Sequence, residues 1–507
     1  MRFEKNFISE RGQRPRHIRN HGIQNGKSRA TLGTTSPAGA FAIAIPATNA
    51  SNTQYDREHQ PLERVLGLSQ STAIVVGTII GSGIFLVPQE MMRAVGHSSL
   101  VYLAWIAGGL LSLFGAMTYA ELAARMPQAG GEYVYIRRAY GDLPAFLYMW
   151  TWFAVAKPAS IATVTIGLAR TLALFHAFAW LDHTAIAAPI PLAWSQLFAI
   201  AMTWLMTGLN YIGIRRAANF QLVFTWLKVL LVLVIAITCF ASAHGLAANF
   251  GTIFTGAEGG FAGFMVALIA ALWAYDGWND LNMVAGEVRN PERNVPLALL
   301  FGVGIVGFLY IAVNAAIQYM LPAVVVATSP RPAVAAVSVV LGATGATLVT
   351  AGMALSIFVT LNGTIMSGAR VPFAAARDGL FFKKVAELSP RFGTPAPSLV
   401  LQAALSTLLL LAVGRFQQLF ELAIFAEWLF YMIAASTIFV HRRRAAQENA
   451  ATFRMWGYPV LPALFIVAAA VLLVYSYQSN LRNSLLGSAL ILAGVPLFYF
   501  FKRRATP

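Results

Sequence analysis

The clearest chemical feature of the sequence is a glycine cluster inside an apolar run, GTIIGSGIF at positions 77–85. Gly81 and Gly83 flank Ser82, and glycine lets the backbone leave helical geometry at little steric cost. Unwinding there frees N–H groups at the start of the following half-helix, which also carries partial positive charge. Such a helix end suits a carboxylate without any charged side chain. The cluster therefore predicts an anion seat built from backbone.

A second interruption lies in a later apolar run, in the segment AYDGW that begins at Ala274. Carbonyl groups freed around Trp273, Ala274 and Tyr275 would suit an ammonium group. Because a zwitterionic amino acid presents a carboxylate and an ammonium on one carbon, the two breaks together favour amino acids over sugars or simple ions. A single glycine in a membrane helix usually aids close packing, but paired broken helices indicate a transporter binding site.

Three ionisable residues within apolar runs are further candidates. Lys228 stands in FTWLKVLLVLV, where a buried ammonium is costly without partners, and its mid-run position argues against snorkelling. A fixed positive charge there leaves no electrostatic need for a bound cation. Glu427 is interpreted either as a proton-coupling group or as a hydrogen-bonded structural carboxyl. Asp276 is interpreted as a helix-break residue bonded to nearby N–H groups, or as a substrate contact.

Two other polar residues in apolar runs have less defined roles. Lys157 precedes Pro158 and could stabilise helix packing at the proline break. Asn362 could hydrogen-bond Lys228 or another helix, and helix packing is the simpler interpretation.

Composition places the chain among membrane proteins. Of its 507 residues, 58% are hydrophobic and 11% are charged, whereas soluble domains carry about a quarter charged residues. The long apolar runs, roughly 20 residues each, match a hydrocarbon core ~30 Å thick. The net charge of +16 is explained by basic residues that set membrane topology, so no nucleic-acid partner is predicted.

Twelve membrane spans are predicted, and each is interpreted as a helix because a spanning segment must satisfy its own backbone groups in lipid. Their approximate bounds are 66–88, 99–120, 143–175, 191–213, 219–242, 261–286, 295–320, 344–370, 397–414, 419–440, 459–477 and 484–501. Basic residues concentrate in alternate loops, which predicts that both termini are cytoplasmic. The interrupted first and sixth spans are an odd number of spans apart, so the second half enters the membrane in the opposite orientation.

Residues 1–60 differ from the rest of the chain. The stretch RGQRPRHIRNHGIQNGKSR is polar and basic, and the segment lacks helical periodicity. It is predicted to be a disordered cytoplasmic tail.

Several motifs in order resemble the amino acid–polyamine–organocation superfamily. They are GTIIGSGIF, then YAELAARMPQAGGEYVYIRRAYG, then AYDGWNDLNMVAGEVRNPERNVPLAL. GDLPAFLYMW with KPAS, and LNGTIMSGARVPFAAARDG, are most similar to the L-type amino acid transporter family, bacterial type. The resemblance covers about residues 62–504. It implies an all-α polytopic membrane protein of twelve transmembrane helices that works by alternating access.

The same resemblance implies the domain organisation. Residues 61–507 would form a transporter domain with a leucine-transporter-like fold. Two inverted five-helix repeats would occupy about 66–242 and about 261–440, and two extra C-terminal helices would occupy about 459–501.

The resemblance also implies how substrate is held, by backbone groups of the two breaks. The expected contacts are Ile79, Ser82 and Gly83 for the carboxylate, and Trp273, Ala274 and Tyr275 for the amine. Trp273 would also close over the substrate as a gating aromatic. Lys228 would occupy the place of a sodium ion and bridge the first span to the eighth, so the carrier would be sodium-independent.

The expected function is therefore sodium-independent transport of neutral L-amino acids, by exchange, in the inner (cytoplasmic) membrane. One alternative is a proton-coupled symporter of amino acids, including cationic ones, or of polyamines, in which Glu427 or Asp276 would matter more than Lys228. A second alternative is an amino-acid sensor.

Other classes of protein and partner are not indicated. No nucleophile constellation supports an enzyme, and the sequence has no Walker-type phosphate loop, so neither a cofactor nor a metal is predicted. Animal relatives pair with a glycoprotein through a cysteine between the third and fourth spans. The corresponding loop, residues 177–190, has no cysteine, so no disulfide-linked partner is expected, and the predicted partners are the amino acid and the lipid bilayer.

Overall fold

The computed structural model of the chain describes residues 62–186, 192–412, 416–445, 453–479 and 481–505. These residues belong to one compact unit. The predicted disordered tail at 1–60 lies outside them.

Helices make up most of the described chain, about four fifths of its residues. Helices α1 to α6 are Leu68–Ile79, Gly83–Val95, Ser98–Arg125, Glu132–Tyr140, Asp142–Thr151 and Lys157–Ala173. Helices α7 to α13 are Trp194–Tyr211, Ile214–Phe240, Gly260–Ala274, Asp280–Met283, Pro291–Met320, Ala323–Thr328 and Pro332–Gly368. Helices α14 to α19 are Arg370–Arg377, Ala396–Ala412, Phe416–Ala445, Val460–Ser479, Leu481–Leu492 and Gly494–Ala505.

Short elements connect these helices. A π-helical turn, Trp152–Ala156, joins α5 to α6. The 3₁₀ turns are His176–Asp182, Ala247–Gly251, Ala285–Glu287 and Lys383–Ala386. Strands β1 (Thr184–Ile186) and β2 (Leu192–Ala193) pair antiparallel.

Seven helical segments of the described chain are long and apolar enough to cross a membrane, and the bent pair α1–α2 brings the number to eight. Helices α7, α9, α15 and α16 lie within the other four predicted spans. The prediction of a polytopic helical membrane protein is confirmed at this level. The count of twelve spans and the inverted repeats stay predictions.

The exposed face of α8 carries an apolar stripe. Val223, Leu230 and Ile237 are spaced by seven residues, and each is more than half exposed, at 57–63%. Residues at this spacing lie on one face of a helix. In a hydrocarbon environment that apolar stripe needs no protein cover.

The pair α1–α2 is bent by 41°. Gly77 lies just before the bend and packs directly on α8, because a Cβ atom there would collide with the side chains of Gln221 and Thr225. In the segment after α9, Gly277 adopts a φ of 104°, a conformation that favours glycine. The Thr78 hydroxyl lies 2.8 Å from Gly277 O and 2.7 Å from Ile74 O. The end of α1 and the segment after α9 are therefore packed against one another.

A fully buried ion pair links the end of this region to α14. Arg370 Nε and Nη2 donate to the two oxygens of Glu287, each at 3.0 Å, and both side chains are at most 1% exposed. The backbone carbonyl of Glu287 accepts the N–H groups of Val65 and Leu66, both at 2.9 Å. The pair therefore joins the segment before α1, the segment after α10 and the start of α14.

Replacing Arg370 with methionine should cost about 3–5 kcal/mol of stability, because it leaves the Glu287 carboxylate buried and unpaired. Unfolding of the purified protein in detergent would measure the loss. The double variant Arg370→Met/Glu287→Met should recover most of it, and Arg293→Met, at an exposed arginine, is the matched control. A double variant no more stable than Arg370→Met would contradict this account of the pair.

Candidate functional site

A cavity of ≈ 120 Å³ lies where the α1–α2 break faces the end of α9. Ile79, Ser82 and Gly83 line it from the first break, and Trp273 and Ala274 line it from the second. These five predicted contacts are therefore brought together around one space.

The two breaks touch each other at the edge of this cavity. Gly83 begins α2, and a Cβ atom built on it would lie 3.1 Å from Ala274 Cβ and 3.5 Å from Trp273 Cζ3. The first N–H groups of a helix have no partner within the helix. The start of α2 thus presents donors beside the end of α9, where the last carbonyls of a helix are found.

The Tyr310 hydroxyl on α11 contacts a backbone carbonyl of each break. Its hydroxyl lies 2.8 Å from Ala274 O and 3.1 Å from Ile79 O, and its single proton can serve one of them at a time. The Tyr275 side chain is placed outside the cavity lining, with its ring centroid 5.1 Å from that of Tyr310 and 5.8 Å from that of Trp105.

Lys228 on α8 is fully buried behind the first break. Its Nζ donates to the carbonyls of Gly77 and Ile80, both at 2.6 Å. From α13, Ser356 Oγ donates to Ile80 O at 2.8 Å, and Thr360 Oγ1 lies 3.2 Å from both carbonyls. The Lys228 ammonium and the Ser356 hydroxyl therefore satisfy carbonyls that the break leaves open, and the Thr360 hydroxyl also lies 3.1 Å from Ser356 O in its own helix.

Asn362 serves helix packing. Its Nδ2 donates to Ala217 O at 3.1 Å and to Gln221 Oε1 at 2.8 Å, and its Oδ1 accepts from Asn210 Nδ2 at 2.9 Å. These bonds tie α13 to α7 and α8.

Lys157 has a defined partner that the sequence reasoning missed. Its Nζ lies 2.6 Å from Asp280 Oδ1, in a pair no more than 5% exposed, and 4.7 Å from the Trp152 ring centroid. All three residues line the cavity. Asp280 belongs to the quoted segment AYDGWNDLN, but its partner is 123 residues away in sequence, and no spacing rule connects them.

Asp276 and Glu427 also line the cavity. The Tyr431 hydroxyl donates toward Asp276 Oδ1 at 2.8 Å and lies 3.0 Å from Asn279 Oδ1. Asn279 Nδ2 in turn donates to Glu132 Oε1 at 2.7 Å. A chain of polar contacts thus runs from the cavity to α4, in which the single Tyr431 proton serves Asp276 or Asn279.

Glu132 is placed in α4, a connecting helix outside the spanning helices. Burial raises its pKa to about 7, even though the hydrogen bonds from Asn279 and Tyr148 favour the charged carboxylate. The Tyr148 hydroxyl lies 3.2 Å from Glu132 Oε2. Glu132 was not identified from the sequence, because nothing in its segment shows that the carboxyl is buried.

The comparison with known families decides what kind of protein carries this cavity. The family model described as amino acid permease matches residues 66–498. The chain belongs to the amino acid permease family. The resemblance to the amino acid–polyamine–organocation superfamily is thereby confirmed, and the permease belongs among transporters rather than enzymes.

Individual relatives match most of the permease's length. It is 31% identical over 452 residues to the serine/threonine exchanger SteT of Bacillus subtilis, across 88% of this chain and 99% of that protein. It is 31% identical over 444 residues to the b(0,+)-type amino acid transporter 1 of Homo sapiens, across 87% and 88%. The cystine/glutamate transporter of Homo sapiens is 30% identical over 448 residues, across 88% and 86%.

The raised pKa of Glu132 predicts a pH dependence of stability. From its ordinary value of 4.5 up to about 7, the folded protein binds this proton more tightly than the unfolded chain does. Stability should therefore fall with rising pH across that window, by roughly 3 kcal/mol at most, and then level off.

Unfolding of the permease in detergent as a function of pH would measure this effect. Glu132→Gln should flatten the slope between pH 4.5 and 7. Glu258→Gln, at an exposed loop position, should keep it. Equal slopes in wild type and Glu132→Gln would show that Glu132 is not the titrating group.

Proposed function

We propose that the permease exchanges neutral L-amino acids across the membrane without sodium, by alternating access. The observation that supports this most directly is the position of the cavity between the start of α2 and the end of α9. Donor N–H groups and acceptor carbonyls meet there at close range, as the α-carboxylate and α-amine of one amino acid require. The named relatives include an exchanger, SteT, which favours exchange over one-way transport.

In this proposal the substrate carboxylate binds backbone of Ser82 and Gly83, beside Ile79, and the amine binds carbonyl groups of the second break. A gating role for Trp273 is supported by its position, because it borders the cavity and its ring lies next to Gly83. Closure of that ring over the bound amino acid would separate it from one side of the membrane. Tyr275 would contribute only through its backbone, since its side chain packs elsewhere.

Independence from sodium rests on Lys228. Two carbonyls, of Gly77 and Ile80, and two hydroxyls, of Ser356 and Thr360, converge at one place. Oxygen clusters of this kind suit a hard cation. Here the Lys228 ammonium already supplies the positive charge, so a sodium ion would be repelled.

The membrane topology is part of the same proposal. Twelve spans are supported by the overlap of at least one described helix with every predicted span, and the division into two inverted five-helix repeats and two C-terminal helices follows from the family resemblance. Both termini would face the cytoplasm, because basic residues concentrate in the loops on that side. The membrane would be the inner membrane, and residues 1–60 would be a cytoplasmic tail.

The test is exchange by the purified protein in liposomes. Vesicles loaded with one unlabelled amino acid should take up labelled neutral amino acids equally well with sodium or choline outside, and empty vesicles should take up little. Lys228→Met should lower exchange roughly a hundredfold, because losing the charged donor costs about 3 kcal/mol. Lys384→Met, at an exposed lysine, should leave exchange unchanged.

Two outcomes would overturn this function. Uptake that requires sodium would contradict the place given to the Lys228 ammonium. Binding of amino acids to the purified protein without any uptake would identify a sensor instead of a carrier.

A further inference from the structure

A second cavity, of ≈ 470 Å³, lies between α4 and the segment that runs from α14 into the 3₁₀ turn after it. Four basic residues line it: Arg137 and Arg138 of α4, Arg377 of α14, and Lys383 of the turn. Its volume is within the range of roughly 300–1,000 Å³ that small-molecule sites occupy. In the described parts of the chain, it has no lining residue in common with the amino acid cavity. It is therefore a separate candidate site.

The acidic residue in the described lining of this basic cavity, Asp378, is already engaged. Arg137 Nη1 lies 2.8 Å from Asp378 Oδ1, and the Tyr133 hydroxyl donates to Asp378 Oδ2 at 3.0 Å. Arg137 Nε also donates to Asp142 Oδ1 at 2.9 Å. Even with Asp142 and Asp378 both counted, the four basic residues leave an excess of two positive charges. The basic cavity therefore favours an anion.

The arginines of the basic cavity supply the donors that a phosphate group requires. An arginine presents five N–H donors and no acceptor, in a planar fork that matches two phosphate oxygens. The Arg377 Cζ atom lies 5.7 Å from the ring centroid of Phe373, which also lines the cavity. The N–H group of Gly379 donates to Ala376 O at 3.1 Å, so a carbonyl at the end of α14 is already occupied. A phosphate group, with several acceptor oxygens, matches this set of cationic donors.

The edge of the basic cavity at Lys383 adjoins the end of a predicted membrane span. Phe382, the neighbour of Lys383, is 52% exposed, and its ring centroid lies 4.8 Å from that of Phe501, near the end of α19. Lys384 and Lys502 are also exposed. Aromatic rings and basic side chains at the ends of membrane helices are typical of the headgroup layer. The bilayer therefore supplies phosphate groups next to this cavity at high local concentration.

We propose that the basic cavity binds the phosphodiester headgroup of an anionic membrane lipid. Arg138 and Lys383 contact the phosphate, Arg137 and Arg377 add positive charge, and the acyl chains lie in the bilayer beside α19. The site is on the membrane side proposed above to be cytoplasmic. A bound headgroup joins α4 to the turn at Lys383, which are distant in sequence. The inference goes beyond the proposed exchange and does not depend on it.

The experiment titrates the full-length protein, purified in dodecyl maltoside, with dioleoyl-phosphatidylglycerol or with dioleoyl-phosphatidylcholine. Native mass spectrometry counts the bound lipids at each concentration. The wild type should bind one phosphatidylglycerol roughly thirtyfold more tightly than phosphatidylcholine, since each excess positive charge near a lipid surface contributes a factor of about five. High salt should weaken the binding. Phosphatidylglycerol should also raise the melting temperature of the protein.

The double variant Arg138→Gln/Lys383→Gln should lower the affinity for phosphatidylglycerol roughly thirtyfold. Arg215→Gln/Arg216→Gln is the matched control, because it removes two exposed arginines at the start of α8, outside the described lining of the basic cavity. It should keep the wild-type affinity within a factor of about two. If the double variant does not fold, Arg138→Gln and Lys383→Gln should each lower the affinity about fivefold.

A further measurement distinguishes a lipid from a soluble anion. Glycerophosphoglycerol, which is the headgroup without its acyl chains, and inorganic phosphate are added as competitors of bound phosphatidylglycerol. Each should displace the lipid only at a concentration roughly a hundredfold higher, because neither gains the free energy of placing acyl chains in an apolar environment.

Three results would overturn the lipid site. The first is equal affinity for phosphatidylglycerol and phosphatidylcholine. The second is an equal loss of affinity in Arg138→Gln/Lys383→Gln and in the Arg215→Gln/Arg216→Gln control, which would indicate non-specific attraction to surface charge. The third is displacement of the lipid by inorganic phosphate at a similar concentration, which would identify a site for a soluble anion. None of these measurements uses transport, so each result would leave the proposed exchange unaffected.

Discussion

The structure depends on how the backbone opened between α1 and α2 is satisfied inside a bundle surrounded by hydrocarbon. A carbonyl left without a donor there cannot be hydrogen-bonded by the surrounding hydrocarbon. Lys228 from α8 and the Ser356 hydroxyl from α13 supply the missing donors. Helices α1, α8 and α13, which are distant in sequence, therefore meet at the break. The break is stable because these donors offset the free energy lost when its carbonyls leave the helical hydrogen-bond pattern. A regular helix would not need such donors.

Features that depend on local sequence could be predicted. Glycines flanking Ser82 and the interruption after Ala274 each mark a place where a helix cannot continue smoothly, and the structure brings both to one cavity. The kind of group that Lys228 would contact could also be predicted. An ammonium in an apolar run needs oxygen acceptors, and the nearby helix break offers backbone carbonyls.

Features that depend on helix rotation and depth could not be predicted. The Tyr275 ring turns toward Trp105 and away from the cavity, although its neighbours line it. Lys157 meets Asp280, and Tyr431 meets Asp276, across long separations in sequence. Hydropathy gives the extent of a span, but the rotation of a nearly uniformly apolar helix about its axis is decided by packing with its neighbours. Residue type alone therefore left these pairings open.

The break at Gly81 to Gly83 also bears on how substrate preference can change over evolutionary time. In the proposed site, main-chain N–H groups hold the substrate carboxylate, and a change of side chain leaves those groups in place. Variation is then free to accumulate elsewhere in the lining, at positions such as Thr163 and Val164, which also border the cavity. A lineage that kept the proposed backbone site could acquire new substrates by small steps while the α-amino acid group continued to be held in the same way.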